Sequence, residues 1–326
     1  VNTGQWHELI AQAALAPSVH NVQPARWRID GDAATLFEDM NVRLAAADPQ
    51  GRDAAISLGA SAEGLLLAAS AQGRAVRFEP PDAAAAGTLR PVLTAKLEGI
   101  AVPDPLADHM DQRKSWRGAF AAHTDGDRNE ADALRTEDCH LFSQAEQIAE
   151  LAELTDAASL HFMRDAAFRR ELVCWMRLNR RHPRWSSDGL NAEAMQMSRV
   201  DALGVPVVMG PVFSLLDRLS LAKPLLSEKA KTGGAAAIAI FHRPADEDPM
   251  ESGRFFYRLW LRFEAAGFSA AVLAALADHR PTAERIHRMA GLAADRRVVS
   301  AFRIGRRPPG ADNGRARRGL DEILLS

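Results

Sequence analysis

Ser18, Asn21 and Gln23 fall within one short stretch, Ala16-Pro17-Ser18-Val19-His20-Asn21-Val22-Gln23-Pro24. A hydroxyl and two carboxamides donate and accept hydrogen bonds without carrying charge. That chemistry suits the polar edge of a planar ligand, and equally a solvated connection in which Pro17 ends one element and Pro24 fixes the exit. His20 is a donor toward a substrate or a structural residue. Much further on, Arg113-Lys114-Ser115-Trp116-Arg117 gathers three cations and a hydroxyl. A guanidinium matches a phosphate through two parallel charge-assisted bonds, and Ser115 offers another. Trp116 and Phe120 would anchor such a turn against a core; the plainer reading is a solvated basic turn. Arg315-Ala316-Arg317-Arg318 forms a second basic patch in a tail, a place where disorder is the default. Residues 266–275 are rich in Ala and Ser, which lets backbone approach a ligand closely or simply packs tightly.

These groups need elements to hold them. The spacing predicts a helix over 3–15 with Trp6, Leu9, Ile10 and Ala13 on one face. Strands over 26–29 and 35–37 pair through Asp30-Gly31. A strongly apolar helix over 59–71 ends at Gly73, and strands follow at 76–78 and 92–97. A second unit begins near Val102, with helices at 106–112, 131–134, 144–157 and 166–178. Periodicity fades from 180 to 234, where Pro183, Gly189, Gly204, Pro206, Gly210, Pro211 and Pro224 interrupt it, and a loop-rich insertion of that length reads as a lid. A strand at 235–241, helices at 255–265 and from Pro281 to Gly291, and a last strand at 298–304 complete the order. One internal echo stands out: Gly59 and Gly73 have the same spacing as Gly253 and Gly267, with Leu65, Leu67 and Ala71 matching Leu259, Leu261 and Ala265. Two related halves would explain it, as would chance between two Leu/Ala-rich helices.

Composition narrows the function classes. The 326 residues are 47% hydrophobic and 25% charged, with Lys+Arg 40 against Asp+Glu 42 and a net charge of −2. A nucleic-acid binder needs a basic face, so none is expected. The two cysteines, Cys139 and Cys174, lack metal-ligand spacing, which suits a reducing cytoplasm. No uninterrupted apolar run reaches membrane-helix length, and no basic-then-apolar leader is visible, so neither a membrane nor an export role is expected. Dinucleotide-binding GxGxxG, Walker, HExxH, GxSxG and paired-cysteine motifs are absent from the sequence. No metal site and no side-chain nucleophile is expected.

The first stretch resembles the A-P-S-x-x-N-x-Q-P signature of the nitroreductase family, with the usual following Trp displaced to Trp27 by Ala25-Arg26. Arg113-Lys114-Ser115-Trp116-Arg117 is similar to that family's R-x-S-x-[RK] element. The resemblance implies FMN as cofactor, held by Pro17, Ser18, Asn21 and Gln23 on one side. Arg113 would take the phosphate, Ser115 the ribityl chain and Arg117 the pyrimidine edge. Arg315 and Arg317 would complete the phosphate site, since Gly319-Leu320-Asp321 looks like the family's P-L-E ending with Gly for Pro. Ala274 and Ala275 would present backbone amides to the reactive edge of the flavin. The A-P-S element precedes R-x-S here, the reverse of the family's order. That layout resembles the Acg subgroup: an α+β nitroreductase-like fold of two fused halves (1–101 and 102–326), each with a mixed or antiparallel sheet and a long central helix. A lid covers about 180–234. The implied activity is an FMN-dependent oxidoreductase passing electrons from NAD(P)H to a small organic acceptor by a ping-pong mechanism. Storage or sensing of FMN without turnover is the alternative, and a cofactor-free α+β scaffold a third. A monomer acting as an intramolecular pseudo-dimer is expected, with a homodimer also compatible.

Overall fold

A computed structural model describes residues 3–325; the outermost ends of the two proposed halves, at 1–2 and 326, lie outside the described residues. Helix α1 (Thr3–Ala13) buries Trp6, Leu9, Ile10 and Ala13, the stripe expected from its spacing. Strands β1 (Ala25–Asp30) and β2 (Ala33–Asp39) pair antiparallel around Gly31, whose φ is +64°. Helix α2 (Arg52–Ala71) starts seven residues before the predicted position, because Ile56 and Leu58 extend its apolar side. Strands β3 (Arg74–Glu79) and β4 (Leu89–Ile100) then pair antiparallel. The helix predicted over 106–112 is instead a short 3-10 turn, Pro105–His109, opened by the Asp104 carboxylate accepting from Leu106 N–H. A five-residue unit behind Pro103 and Pro105 has too few bonds to propagate an α-helix.

Helix α3 (Asp125–Asp132), strand β5 (Cys139–Phe142), and helices α4 (Ala145–Arg164) and α5 (Ala166–Trp175) follow. Two-residue strands β6 (Met176–Arg177) and β7 (Leu190–Asn191) pair with each other. The later part of the stretch expected to be loop-rich is helical: α6 (Arg199–Met209), α7 (Phe213–Arg218), α8 (Ala222–Leu226) and α9 (Lys229–Gly233). Its Gly and Pro residues cut the helix into short pieces rather than abolish it, and a Ser198–Asp201 capping box starts α6. The chain continues as β8 (Ala237–Pro244), α10 (Pro249–Ala265), β9 (Ser269–Val272), α11 (Ala275–Asp278), α12 (Arg280–Met289) and β10 (Arg296–Gly305). It closes with α13 (Leu320–Ile323) and β11 (Leu324–Leu325).

The fold is α+β, with two main sheets. One runs β11-β1-β2-β4-β3, the other β5-β8-β10-β9. The first packs Trp27, Leu36 and Leu93 against α1 and α2, with Trp6, Leu58 and Leu65 fully or nearly fully buried between them. The second packs Phe241 and Phe302 against Phe256, Trp260 and Phe263 of α10 on one face. Its other face covers Ile238, Ile240 and Ala301 with α4, α11 and α12. The tail crosses between sheets, so that β11 pairs parallel with β1 although β10 belongs to the other sheet.

Helix α2 is long and apolar enough to cross a membrane by length and composition, but most of it is buried inside the protein. It crosses α10 at two glycines. A Cβ on Gly59 would lie 1.8 Å from the Met250 carbonyl oxygen, and one on Gly253 would lie 2.1 Å from the Ile56 carbonyl oxygen. The contact is reciprocal, each glycine meeting the residue three positions before the other, as in a two-fold interface. An ion-pair bridge seals it: buried Glu63 accepts from Arg254 at 2.9 Å and from Arg258 at 2.8 Å.

Candidate functional site

The turn after α1 is conformationally strained. His20, Asn21 and Gln23 take φ of 45°, 55° and 53°, left-handed values that cost non-glycine residues about 1–2 kcal/mol each. Local bonds hold them: Ser18 Oγ accepts from Gln23 N–H at 2.9 Å, and Arg317 donates to Asn21 Oδ1 at 2.5 Å. Strain of this kind persists where the surroundings over-determine it, and it concentrates at binding sites.

Residues 113–117 reach the same place from the second sheet. Trp116 N–H donates to the Ala270 carbonyl at 2.9 Å and Ser115 bridges to Ala270, so the segment lies along β9. Trp116 is buried, the anchor expected of it. Buried Arg303 clamps the segment by donating to the carbonyls of Trp116 and Gly118 at 3.2 and 3.0 Å. The tail then folds over it: Asn313 donates to Ser115 O at 2.8 Å, and Arg315 donates to Arg113 O at 2.7 Å. The tail is therefore ordered by its own guanidiniums and by β11.

Between these parts lies a cavity of about 340 Å³, within the range of small-ligand sites. Pro17, Ser18, Asn21, Arg113, Ser115 and Arg117 line it, as do Ala274, Arg315 and Arg317. Two sequence-predicted residues do not. Gln23 is buried beside the cavity with its amide engaged: Nε2 donates to Ser187 O at 2.8 Å and Oε1 accepts from Arg318 N–H at 3.0 Å. Ala275 is the first residue of α11 and stands behind Ala274. The expected lid is also placed differently. Among the described residues of 180–234, Gly189, Leu190 and Ala194 line the cavity, whereas α6–α9 do not. Residues 186–189 are tied to the strained turn: Asn21 Nδ2 donates to Gly189 O, Gly189 N–H donates to Asn21 O, and Arg317 N–H donates to Ser186 O.

The cavity has two chemically opposite walls. On one, Arg113 is fully buried, with its guanidinium carbon 4.6 Å from the Trp260 ring centre and Nη2 donating to Leu15 O at 2.8 Å. Arg317 donates to Leu15 O and Ala16 O. Arg113 and Arg317 each keep a buried Nε without a partner, and among the described residues neither makes an ion pair. Arg315 has only Asp111, at 3.9 Å. Burial, with Arg113 and Arg315 repelling, pulls Arg317 down to about 9, and burial lowers Arg113 as well. This wall lacks an anion. On the other wall stand Asp53 and Asp278, which sequence reasoning missed. Asp53 sits in the first turn of α2, where a carboxylate reads as routine helix capping, and Asp278 ends an alanine-rich stretch. His20 also lines the cavity; burial and the nearby Arg117 hold its ring neutral, with a pKa of about 4. Among the described residues no His/Cys/Asp/Glu group could hold a metal ion.

No protein-family model matches the chain. Two proteins of Mycobacterium tuberculosis, provisionally named NAD(P)H nitroreductases MT3217 (strain CDC 1551 / Oshkosh) and Rv3131 (strain H37Rv), are each 26% identical over 175 residues. Those residues are 51% of this chain and 49% of each relative. This chain is similar to nitroreductases. It spans about half the length of the curated relatives it matches. Among solved structures, the FMN-dependent nitroreductase NfnB from Mycobacterium smegmatis in complex with NADPH overlays at a TM-score of 0.37 and 17% identity, covering 68% of this chain and 97% of its own. A nitroreductase with bound FMN from Bacteroides fragilis overlays at 0.36 and 11%, covering 64% and 91%. A provisionally named nitroreductase from Anabaena variabilis overlays at 0.42 and 9%, covering 94% and 88%.

Proposed function

We propose that this chain is an FMN-dependent oxidoreductase of the nitroreductase family with the Acg-like layout, two halves fused around one flavin site. The observation that carries the reading is the arginine wall. Arg113, Arg315 and Arg317 converge in a cavity, Arg113 and Arg317 with orphaned buried N–H groups, and among the described residues the one carboxylate paired with the three is Asp111, 3.9 Å from Arg315. A phosphomonoester supplies the missing charge and acceptors. The rest of the cavity suits the remainder of FMN: the Ser18 and Ser115 hydroxyls for a polyol chain, Arg117 for a polar ring edge, and Ile56, Phe256 and Val272 for an apolar ring. The Asn21 amide is bonded to Gly189, Ala316 and Arg317 and shapes the wall instead. The bound flavin would supply the electron transfer, and the protein orients it and controls access.

The reciprocal Gly59–Gly253 contact and the matching glycine spacing support two related halves. One polypeptide then supplies both sides of the site, and a second copy is not required. Residues 186–194, rather than the helices after them, are the segment that closes over the ligand. NAD(P)H is the proposed donor and a small organic compound the acceptor, alternating in a ping-pong cycle.

The test is spectroscopic. Purified protein incubated with FMN and desalted should be yellow, should bleach with NADPH in the absence of oxygen, and should recolour with a nitroaromatic or quinone. Yellow protein inert to every nicotinamide donor would instead indicate storage or sensing, the reading that the tie between 186–189 and Asn21 favours. Protein that takes up no FMN contradicts both.

A further inference from the structure

Arg52, the first residue of α2, serves two carboxylates. Its Nη2 bonds Asp278 Oδ1, and its Nε lies 3.6 Å from Asp53 Oδ1. A third carboxylate, Asp48, is held by the Ala54 N–H at 2.8 Å and acts electrostatically on both aspartates. Among the described residues no other side-chain cation pairs with Asp53 or Asp278, while Asp48 also feels Arg43. Arg297 of β10 donates to the Glu247 carbonyl and Ser252 Oγ, and Arg43 pairs with Glu38. His279 is hydrogen-bonded to Thr282 and is pushed below its ordinary pKa by burial. Two half-buried carboxylates share one guanidinium with a third carboxylate close by, and such a group neutralises itself by keeping a proton. Burial, then Asp278, push Asp53 up to about 7 against the pull of Arg52; Asp278 is raised too. The pair is best described as titrating together.

Both aspartates line the cavity. So does His20, whose buried Nδ1 has no partner. With a pKa of about 4, His20 carries no excess proton near neutrality. The guanidiniums do not release theirs at that pH. Lys114 also lines the cavity but is tied to Asp312 at 2.8 Å. The aspartate pair is what remains.

We propose that Asp53 and Asp278 hold one proton between them and deliver it to the electron acceptor bound in the cavity. This rests on the flavin reading above. With a quinone acceptor, the quinone takes a hydride equivalent from reduced flavin, which is thereby oxidised. The carboxylic O–H bond breaks, the proton passes to the quinone oxygen, and hydroquinone leaves. The doubly ionised pair then takes a proton back from water.

Two measurements test this. Flavin-free protein carrying 13C-labelled aspartate carboxyls should show one carboxyl titrating near neutrality by NMR, lost in Asp53→Asn. FMN-loaded protein reduced with dithionite and mixed with menadione should reoxidise about 100-fold more slowly in Asp53→Asn. The wild-type rate should fall above pH 7 and the variant's should not. Asp278→Asn should behave alike and carries the test if Asp53→Asn does not fold. Variants that bind FMN yet reoxidise at the wild-type rate with the wild-type pH profile overturn the proton role and leave the flavin reading standing. A carboxyl ionised throughout pH 5–8 does the same. Wild-type protein that binds no FMN overturns both.

Discussion

Replacing Arg113 by alanine should remove most of the affinity for FMN while sparing that for riboflavin, which lacks the phosphate. Arg113 is buried, commits Nη2 to the Leu15 carbonyl at 2.8 Å, and leaves Nε without a partner. Its charged neighbours include Arg315 and Arg317; Glu264 acts on it without forming an ion pair, so a phosphate would be its first paired counter-ion. A charge-assisted bond to a desolvated guanidinium contributes about 2–3 kcal/mol. That corresponds to a roughly 30- to 160-fold rise in Kd. The assay is quenching of flavin fluorescence as flavin-free protein is titrated with FMN and, separately, with riboflavin. Because Arg113 also packs over Trp260, thermal unfolding of the unliganded variant serves as the control for lost packing. His20→Ala should change the FMN Kd by less than about threefold, since its neutral ring carries no charge to offer a phosphate. Equal losses in the two variants, or equal losses of FMN and riboflavin in Arg113→Ala, would refute the phosphate assignment.

Other consequences are independent of that one. Gly59→Ala would drive a methyl group into the Met250 carbonyl, backbone that cannot yield. Its cost should be about 3 kcal/mol or more by denaturant unfolding, against almost none for Gly204→Ala, where nothing lies within 4 Å. Gly189→Ala combines a φ of +71° with a clash at the Trp175 carbonyl, 2.4 Å from the new Cβ. It should loosen the segment that bonds Asn21 and speed FMN release in stopped flow by about tenfold or more. The pH dependence of stability follows from Asp53. Its folded pKa of about 7 exceeds the unfolded value of 3.8, so the folded state binds more protons between those values. The contribution is fully present below pH 3.8 and is lost as pH rises through 7. Unfolding free energies of wild type and Asp53→Asn measured from pH 5 to 8 should therefore diverge, the wild type falling more steeply.

Much of this was legible because local rules and tertiary packing agree. The Trp6–Leu9–Ile10–Ala13 stripe, the Asp30-Gly31 turn and the helix stop at Gly73 are decided within a few residues, and the structure repeats them. The convergence of residues 17–21 with 113–117 was suggested only by resemblance, since no periodicity reports a contact across a hundred residues. Side chains whose work is done by backbone partners misled. Gln23 reads as a ligand group from its type, but Ser187 and Arg318 consume its amide. The insertion misled in the opposite sense: prolines and glycines that break long helices also delimit short ones, and the capping box at Ser198 was the signal passed over. Asp53 and Asp278 gave no motif, because what distinguishes them is the shared Arg52 and a half-buried place on the cavity wall.

The central claim is that two distant pieces of one chain enclose a single flavin mononucleotide. Its most direct test is the ratio of bound flavin to protein after saturation with FMN and gel filtration, read from absorbance and released-flavin analysis. One FMN per chain, falling toward zero in the Arg113→Ala, Arg317→Ala double variant, is the predicted result. A colourless wild-type protein, or a double variant that retains full occupancy, would contradict it.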